Sequence, residues 1–285
     1  MLRKTKMQPK VYPMYKKPLS ASASNPVPGA QAVARALSVL RAVARGRKQG
    51  VSLAQLVRDT GLNKPTAHRL VCALIADGMV EQESASLRYF LGPECYVLGE
   101  IANERFGLGR EAVDAVARLA RTSGDSAFFS IRSDTFAVCV LREDGDYPLK
   151  THVLQPGTRH PLGVGAGSLA MLAAMRDDEI ADCITANETV MAQQYSRISI
   201  EALHKAISRT REAGFSVNEG FVVQGSWGVG VAVHSAQGDV MGALSIAAVE
   251  SRLTPDRQIA LGKDLLNAAK RVEKQLASFK ISESA

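Results

Sequence analysis

The sequence holds 285 residues with 46% hydrophobic and 22% charged side chains and a net charge of +7 at pH 7, which is length enough for two domains and a composition that excludes wholesale disorder. No apolar run approaches the roughly 18 residues that a spanning helix needs. Met1-Leu2-Arg3-Lys4-Thr5-Lys6 leads into no apolar h-region, so the expected location is the cytoplasm.

Charge is unevenly distributed. Residues 1–29 carry six Lys/Arg and no acid, residues 30–92 carry nine Lys/Arg against four Asp/Glu, and residues 93–285 carry twenty against twenty-four. A basic front joined to a mildly acidic remainder suits a nucleic-acid-binding module attached to a domain with another task. The tail at 1–29 is read as a disordered basic segment, and alone it decides nothing. Cys72, Cys95, Cys139 and Cys183 lie far apart with no C-x-x-C pair, which argues against a zinc ribbon or a disulfide framework.

In chain order, Val33, Leu37, Leu40 and Ala44 recur at helical spacing and predict an amphipathic helix over 30–45, ended by Gly46. Ser52 with Gln55 three residues on forms a capping box that opens a short helix reaching Thr60-Gly61. Asn63 caps a third helix with Pro65 in its first turn. Ala67, Leu70, Val71 and Leu74 face inward on that helix, leaving Lys64, Thr66 and Arg69 outward near its start. Two short strand-like runs around Glu83-Ser84-Ala85-Ser86 make a hairpin wing.

A short helix, a turn containing Gly61 and a second helix with exposed polar residues is a helix-turn-helix arrangement. Its chemistry suits a double-stranded DNA operator. Arg69 can bond guanine O6/N7, Lys64 can neutralise phosphate, Thr66 can reach either, and Arg88 on the wing is a further phosphate contact. The candidate DNA-contacting set is Ser52, Lys64, Pro65, Thr66, His68, Arg69 and Arg88. His68 has no partner in the sequence pattern and also reads as an ordinary surface or half-buried histidine.

The run Leu53-Ala54-Gln55-Leu56-Val57 through Gly61-Leu62-Asn63-Lys64-Pro65-Thr66-Ala67-His68-Arg69-Leu70, then Gly78-Met79-Val80-Glu81 and Arg88-Tyr89-Phe90-Leu91-Gly92, resembles the winged helix-turn-helix of IclR-type bacterial transcriptional regulators. The resemblance extends more loosely over about residues 30–277. Pro65 stands where that family often has Ser, and residues 1–29 have no family counterpart.

Beyond this module, 93–107 reads as a linker helix and 108–280 as a second domain. Strand-like runs at 127–131, 137–141 and 150–154 form a meander, followed by apolar helices near 166–175 and 199–213. A hairpin spans 229–248 and a helix runs from 255 to 277. The fold class is α+β, a winged helix-turn-helix followed by an α/β domain on a mainly antiparallel sheet.

No catalytic or metal-binding constellation is found. Gly163-Val164-Gly165-Ala166-Gly167-Ser168 follows Pro161 rather than a strand, so it lacks the context of a dinucleotide fingerprint. His152 and His160 could converge, but no matching carboxylate or thiolate accompanies them. The glycine-rich segment before an apolar helix instead offers backbone N–H groups to a carboxylate.

The resemblance implies a GAF-like effector-binding domain, with Ala166, Gly167, Asn218, Ser226, Gly228, Ser245 and Ala247 at ligand positions. Asn218 replaces the Asp of some relatives, which favours an anionic ligand, and Trp227 is a candidate aromatic wall. The expected function is a transcriptional regulator controlled by a small organic acid, with an aromatic acid as one option. No cofactor is expected, and the resemblance implies a homodimer or homotetramer. The competing reading is a cytoplasmic small-molecule enzyme or binding protein whose basic module contacts protein.

Overall fold

The computed structural model describes residues 29–106, 109–151 and 154–282. Two compact units divide the chain, Met1–Phe106 and Gly107–Ala285.

The first unit packs α1 (Gln31–Arg45), α2 (Leu53–Thr60) and α3 (Lys64–Ala76) beside a hairpin of β1 (Val80–Gln82) and β2 (Tyr89–Leu91), and ends in α4 (Pro93–Phe106). Its core joins Val39, Ala42 and Val43 of α1 to Leu56, Val71, Leu74, Val80 and Tyr89. This shifts the buried face of α1 from the one expected. Val33, Leu37 and Ala44 are exposed and only Leu40 of the predicted stripe packs inward. The α1 sequence is apolar on both sides of Leu40, and docking against α2 and α3 selects the Val39–Val43 side.

The second unit is built on a six-stranded antiparallel sheet in the order β5-β4-β3-β8-β7-β6. Its strands are β3 (Ser126–Ser133), β4 (Phe136–Asp144), β5 (Arg159–Pro161), β6 (Ser216–Asn218), β7 (Ser226–His234) and β8 (Val240–Val249). Helices α5 (Gly109–Ser123) and α9 (Pro255–Ser282) cover one face, while α6 (Ala166–Ala173) lies on the other, backed by α7 (Asp177–Gln194) and α8 (Ile200–Ala213). Strand parity sorts the side chains. On β7, Val229, Val231 and Val233 enter the α5/α9 core, so Ser226, Gly228 and Gly230 face α6.

Three elements depart from expectation. The third meander strand is Arg159–Pro161 rather than 150–154. Gly157 and Thr158 already exchange backbone hydrogen bonds with Cys139, so the chain joins β4 only after the turn at Pro156-Gly157. Residues 150, 151 and 154 are not strand, and 152 and 153, His152 with them, lie outside the described residues. Helix α7 and strand β6 are additional. The buried line of α7 is Ile180, Cys183, Asn187 and Met191, which keeps helical spacing but includes a polar amide and a thiol that weaken the apolar signal.

Candidate functional site

The helix-turn-helix is set by local chemistry. Ser52 Oγ accepts from the Gln55 N–H at 3.3 Å to start α2, and Gly61 ends it in the left-handed region at φ 68°. Asn63 Oδ1 accepts from the Thr66 N–H at 2.9 Å to start α3, with Pro65 in the first turn. Ala67, Val71 and Leu74 are buried, so Lys64, Pro65, His68 and Arg69 project into solvent and Thr66 is half-buried. The Ser52 hydroxyl, half-buried, spends its acceptor on the cap and keeps a proton to donate. His68 lies against Cys72 one turn on, at 3.7 Å.

Arg88 has a structural task that its position in the sequence did not suggest. Its Nη1 donates to the carbonyls of Gln49 at 3.2 Å and Gly50 at 3.0 Å, strapping the wing to the turn between α1 and α2. Among the described residues Nε and Nη2 have no hydrogen-bond acceptor, so a phosphate contact would use the outer edge of a guanidinium already held in place. Exposed Lys48 and Arg58 add positive charge to the same unit and were not singled out from the sequence.

In the second unit, the N-terminal end of α6 meets the sheet and leaves a recess with a cavity volume of about 40 Å³. The approach is close. A Cβ on Gly230 would sit 2.6 Å from the carbonyl carbon of Ala166, and one on Gly228 would sit 3.1 Å from the Ala166 methyl. Glycine at these two strand positions therefore lets the first turn of α6 rest on β7. The Gly165 N–H donates to Ser168 Oγ at 2.8 Å, a buried cap that opens the helix.

All eight expected effector positions, Ala166, Gly167, Asn218, Ser226, Trp227, Gly228, Ser245 and Ala247, border this recess. Two of them differ from expectation in what their side chains do. Asn218 is engaged rather than waiting: its Nδ2 donates to the Val164 carbonyl and its Oδ1 accepts from the Phe221 N–H at 3.2 Å, so it ties the loop after β6 to the loop before α6. Trp227 packs its ring against the α5/α9 core, as the parity of β7 requires, and the aromatic side chain on the recess face is Phe128 of β3.

Sequence reading also missed Ser130, and it weighed His160 only as a partner for His152, not as a wall of the recess. His160 is 3% exposed, and neither ring nitrogen has a hydrogen-bond partner among the described residues. Burial alone holds its imidazole down to about 4. Among the described residues, no aspartate, glutamate, lysine or arginine lines the recess. The donors on offer are hydroxyls and the first-turn N–H groups of α6.

Comparison with known proteins places the two units in a family. Residues 102–274 match the family described as bacterial transcriptional regulator IclR, C-terminal, and residues 32–84 match the IclR helix-turn-helix domain. A glycerol operon regulatory protein of Streptomyces griseus is 27% identical over 229 residues, covering 79% of this chain and 87% of that protein. The repressor AllR of Escherichia coli is 26% identical over 252 residues, covering 87% and 91%. Among solved structures, an IclR-type regulator from Silicibacter has a TM-score of 0.69 at 22% identity, covering 86% of this chain and 96% of that one. An IclR homologue from Microbacterium hydrocarbonoxydans, complexed with 4-hydroxybenzoate, has a TM-score of 0.68 at 18% identity, covering 86% and 98%. The relatives are transcriptional regulators, and among the described residues no helix is long and apolar enough to cross a membrane. With the family match spanning well over half of its length, this chain belongs to the IclR family of DNA-binding bacterial transcriptional regulators.

Proposed function

We propose that α3 reads an operator in the major groove and that a small organic acid, aromatic acids included, binds beside α6 and changes operator affinity. Arg69 is the base-reading side chain. Lys64, Thr66 and Ser52 contact phosphate or sugar, while Pro65 and His68 shape the surface of α3 against the groove, and Arg88 holds the wing where it can follow the backbone. The observation that carries the effector half is the recess itself, where a helix N-terminus, hydroxyls and the Phe128 ring converge. The 4-hydroxybenzoate bound by the Microbacterium relative supports a ring-bearing acid as one member of the ligand class.

One recognition helix contacts too few base pairs for useful specificity, so the working form is a dimer or a tetramer. Exposed Val33 and Leu37 on α1 and Tyr96, Val97, Leu98 and Ile101 on α4 give the first unit apolar surface for such pairing. The effector then acts by shifting the population of paired arrangements, with coupling of about 1–3 kcal/mol as the usual scale.

The test is fluorescence anisotropy with the duplex upstream of the protein's own coding region, a scrambled duplex, and Arg69→Ala. Preferential binding to the native duplex that Arg69→Ala abolishes, and that a panel of organic acids modulates, is the expected result. Equal binding to both duplexes would sink the operator reading.

A further inference from the structure

The recess beside α6 poses an electrostatic problem for the ligand class proposed above. A carboxylate entering it leaves water, and an unpaired buried anion is costly. Among the described residues, the side chains that line it supply no formal positive charge. One group there can acquire it. His160, on β5 opposite Ala137 of β4, places Nε2 against Gly165, 3.0 Å from where a Cβ on that glycine would be, at the residue that opens α6. Both of its ring nitrogens are buried without a hydrogen-bond partner among the described residues, and a native protein rarely leaves such atoms without a purpose.

We propose that His160 is a ligand-binding residue that takes up one proton as the acid binds, so that imidazolium and carboxylate enter the closed site as a neutral pair. The inference rests on the recess being the effector site. It narrows the ligand class to monocarboxylates, because a second carboxylate would find no second group that can become cationic among the described lining side chains.

The charged groups on the surrounding elements are already engaged. On β4 Arg142 stands beside the recess, with its guanidinium 5.8 Å from the Phe128 ring, but it binds Asp144 and donates to the Leu154 carbonyl; on β5 Arg159 donates to Ser133 and stacks on Phe136, and on β3 Arg132 pairs with Glu179 of α7. Glu219, in the loop after β6, pairs with Arg209 of α8, and His234 on β7 pairs with Glu273 of α9. Helix α6 and strand β8 carry no ionisable side chain, and the Cys183 thiol of α7 is itself pushed up by burial. The free imidazole is therefore neutral near pH 7, and a bound anion is what charges it.

The experiment is calorimetry of the full-length protein with benzoate, phthalate and benzamide, in two buffers of different ionisation enthalpy across about pH 6–8. Wild type and the His160→Gln and His160→Leu variants are compared, with circular dichroism reporting folding. The expected result is benzoate binding with uptake of close to one proton, and affinity falling toward tenfold per pH unit once the complex loses that proton. Phthalate should bind at least tenfold more weakly, and folded His160→Gln should bind benzoate with no proton uptake. Benzoate binding without proton uptake, unchanged in His160→Gln, would overturn the role of His160 and leave the recess as the effector site. Failure of all three compounds to bind wild type at millimolar concentration would overturn both readings.

Discussion

In the first unit Lys64 and Arg69 stand in water on a helix started by an exposed Asn63, whereas in the second the recess beside α6 is lined by dipoles and one neutral histidine. Each suits its target. A polyanion such as DNA stays hydrated along most of its length, so mobile exposed cations bind it by releasing its counterions. A small molecule gives up most of its water, and in the low-dielectric pocket a few oriented N–H and O–H groups are worth more than they are at the surface. One chain thus uses charge where water remains and preorganised dipoles where water is excluded.

Ionic strength separates the two regimes most strongly. Raising salt from about 50 to 200 mM should weaken operator binding on the order of a thousandfold if about six phosphates are contacted. Binding of a small acid to the recess should change less than about twofold, because the site is buried from the ionic atmosphere. Parallel titrations by anisotropy and calorimetry check both slopes, and a steep salt dependence for the small ligand would break the comparison.

Among the described residues of the second unit one carboxylate is fully buried, and it is clamped. Asp125, with its side chain 1% exposed, accepts from Arg252 at 3.0 Å and Arg257 at 2.7 Å, and Arg252 lies over the Tyr147 ring at 3.8 Å. Asp125→Ala leaves two guanidinium groups half-buried without their acid, at a cost of about 3 kcal/mol. Thermal melting should show the loss, while a charge deletion in the first unit such as Lys64→Ala should leave the melting temperature within a degree or so.

Acid probes the same contrast through His160. Its pKa is about 4 in the folded protein against 6.5 for the unreacted side chain, so the unfolded chain binds the proton first as pH falls. The stability contributed by the neutral imidazole is present above pH 6.5 and is lost as pH falls from there toward 4, by about 2 kcal/mol at pH 5. Denaturant midpoints at pH 7 and pH 5 should therefore diverge less in His160→Leu than in wild type. Equal divergence would mean that the imidazole is not held neutral.

How much of this was legible depends on how local the determinants are. The first unit reads well because Ser52, Gly61, Asn63 and Pro65 each act within a few residues, and the structure finds each at the helix end its chemistry dictates. The face of α1 was misjudged because Val33 and Leu37 are apolar yet exposed, and only the docking partners select the buried side. The recess draws Phe128, His160, Asn218 and Ser245 from four separated strands, and their shared face is a matter of strand parity and register. Trp227 shows the consequence, since a shift of one residue along β7 sends its ring to the opposite core. Helix α6 itself was visible from its glycine-rich approach, but Gly228 and Gly230 gain their meaning only when Ala166 lies on them.

The two helix starts allow the comparison to be made with a single kind of device. Asn63 accepts from the Thr66 N–H in solvent, whereas Ser168, 1% exposed, accepts from the Gly165 N–H in the interior. In Asn63→Ala water can take over the freed N–H, so the cost should be about 1 kcal/mol or less. In Ser168→Ala the N–H is freed in the interior, away from bulk water, and the cost should approach about 2 kcal/mol. Chemical denaturation should rank them in that order. The consequences for binding should run crosswise: Asn63→Ala loosens the turn that carries Lys64 and Thr66 and weakens operator binding, and Ser168→Ala loosens the turn that offers its N–H groups to the acid and weakens effector binding. Equal stability losses in the two variants would mean that water reaches the start of α6 as freely as the start of α3, and the recess would then have to be treated as another exposed surface.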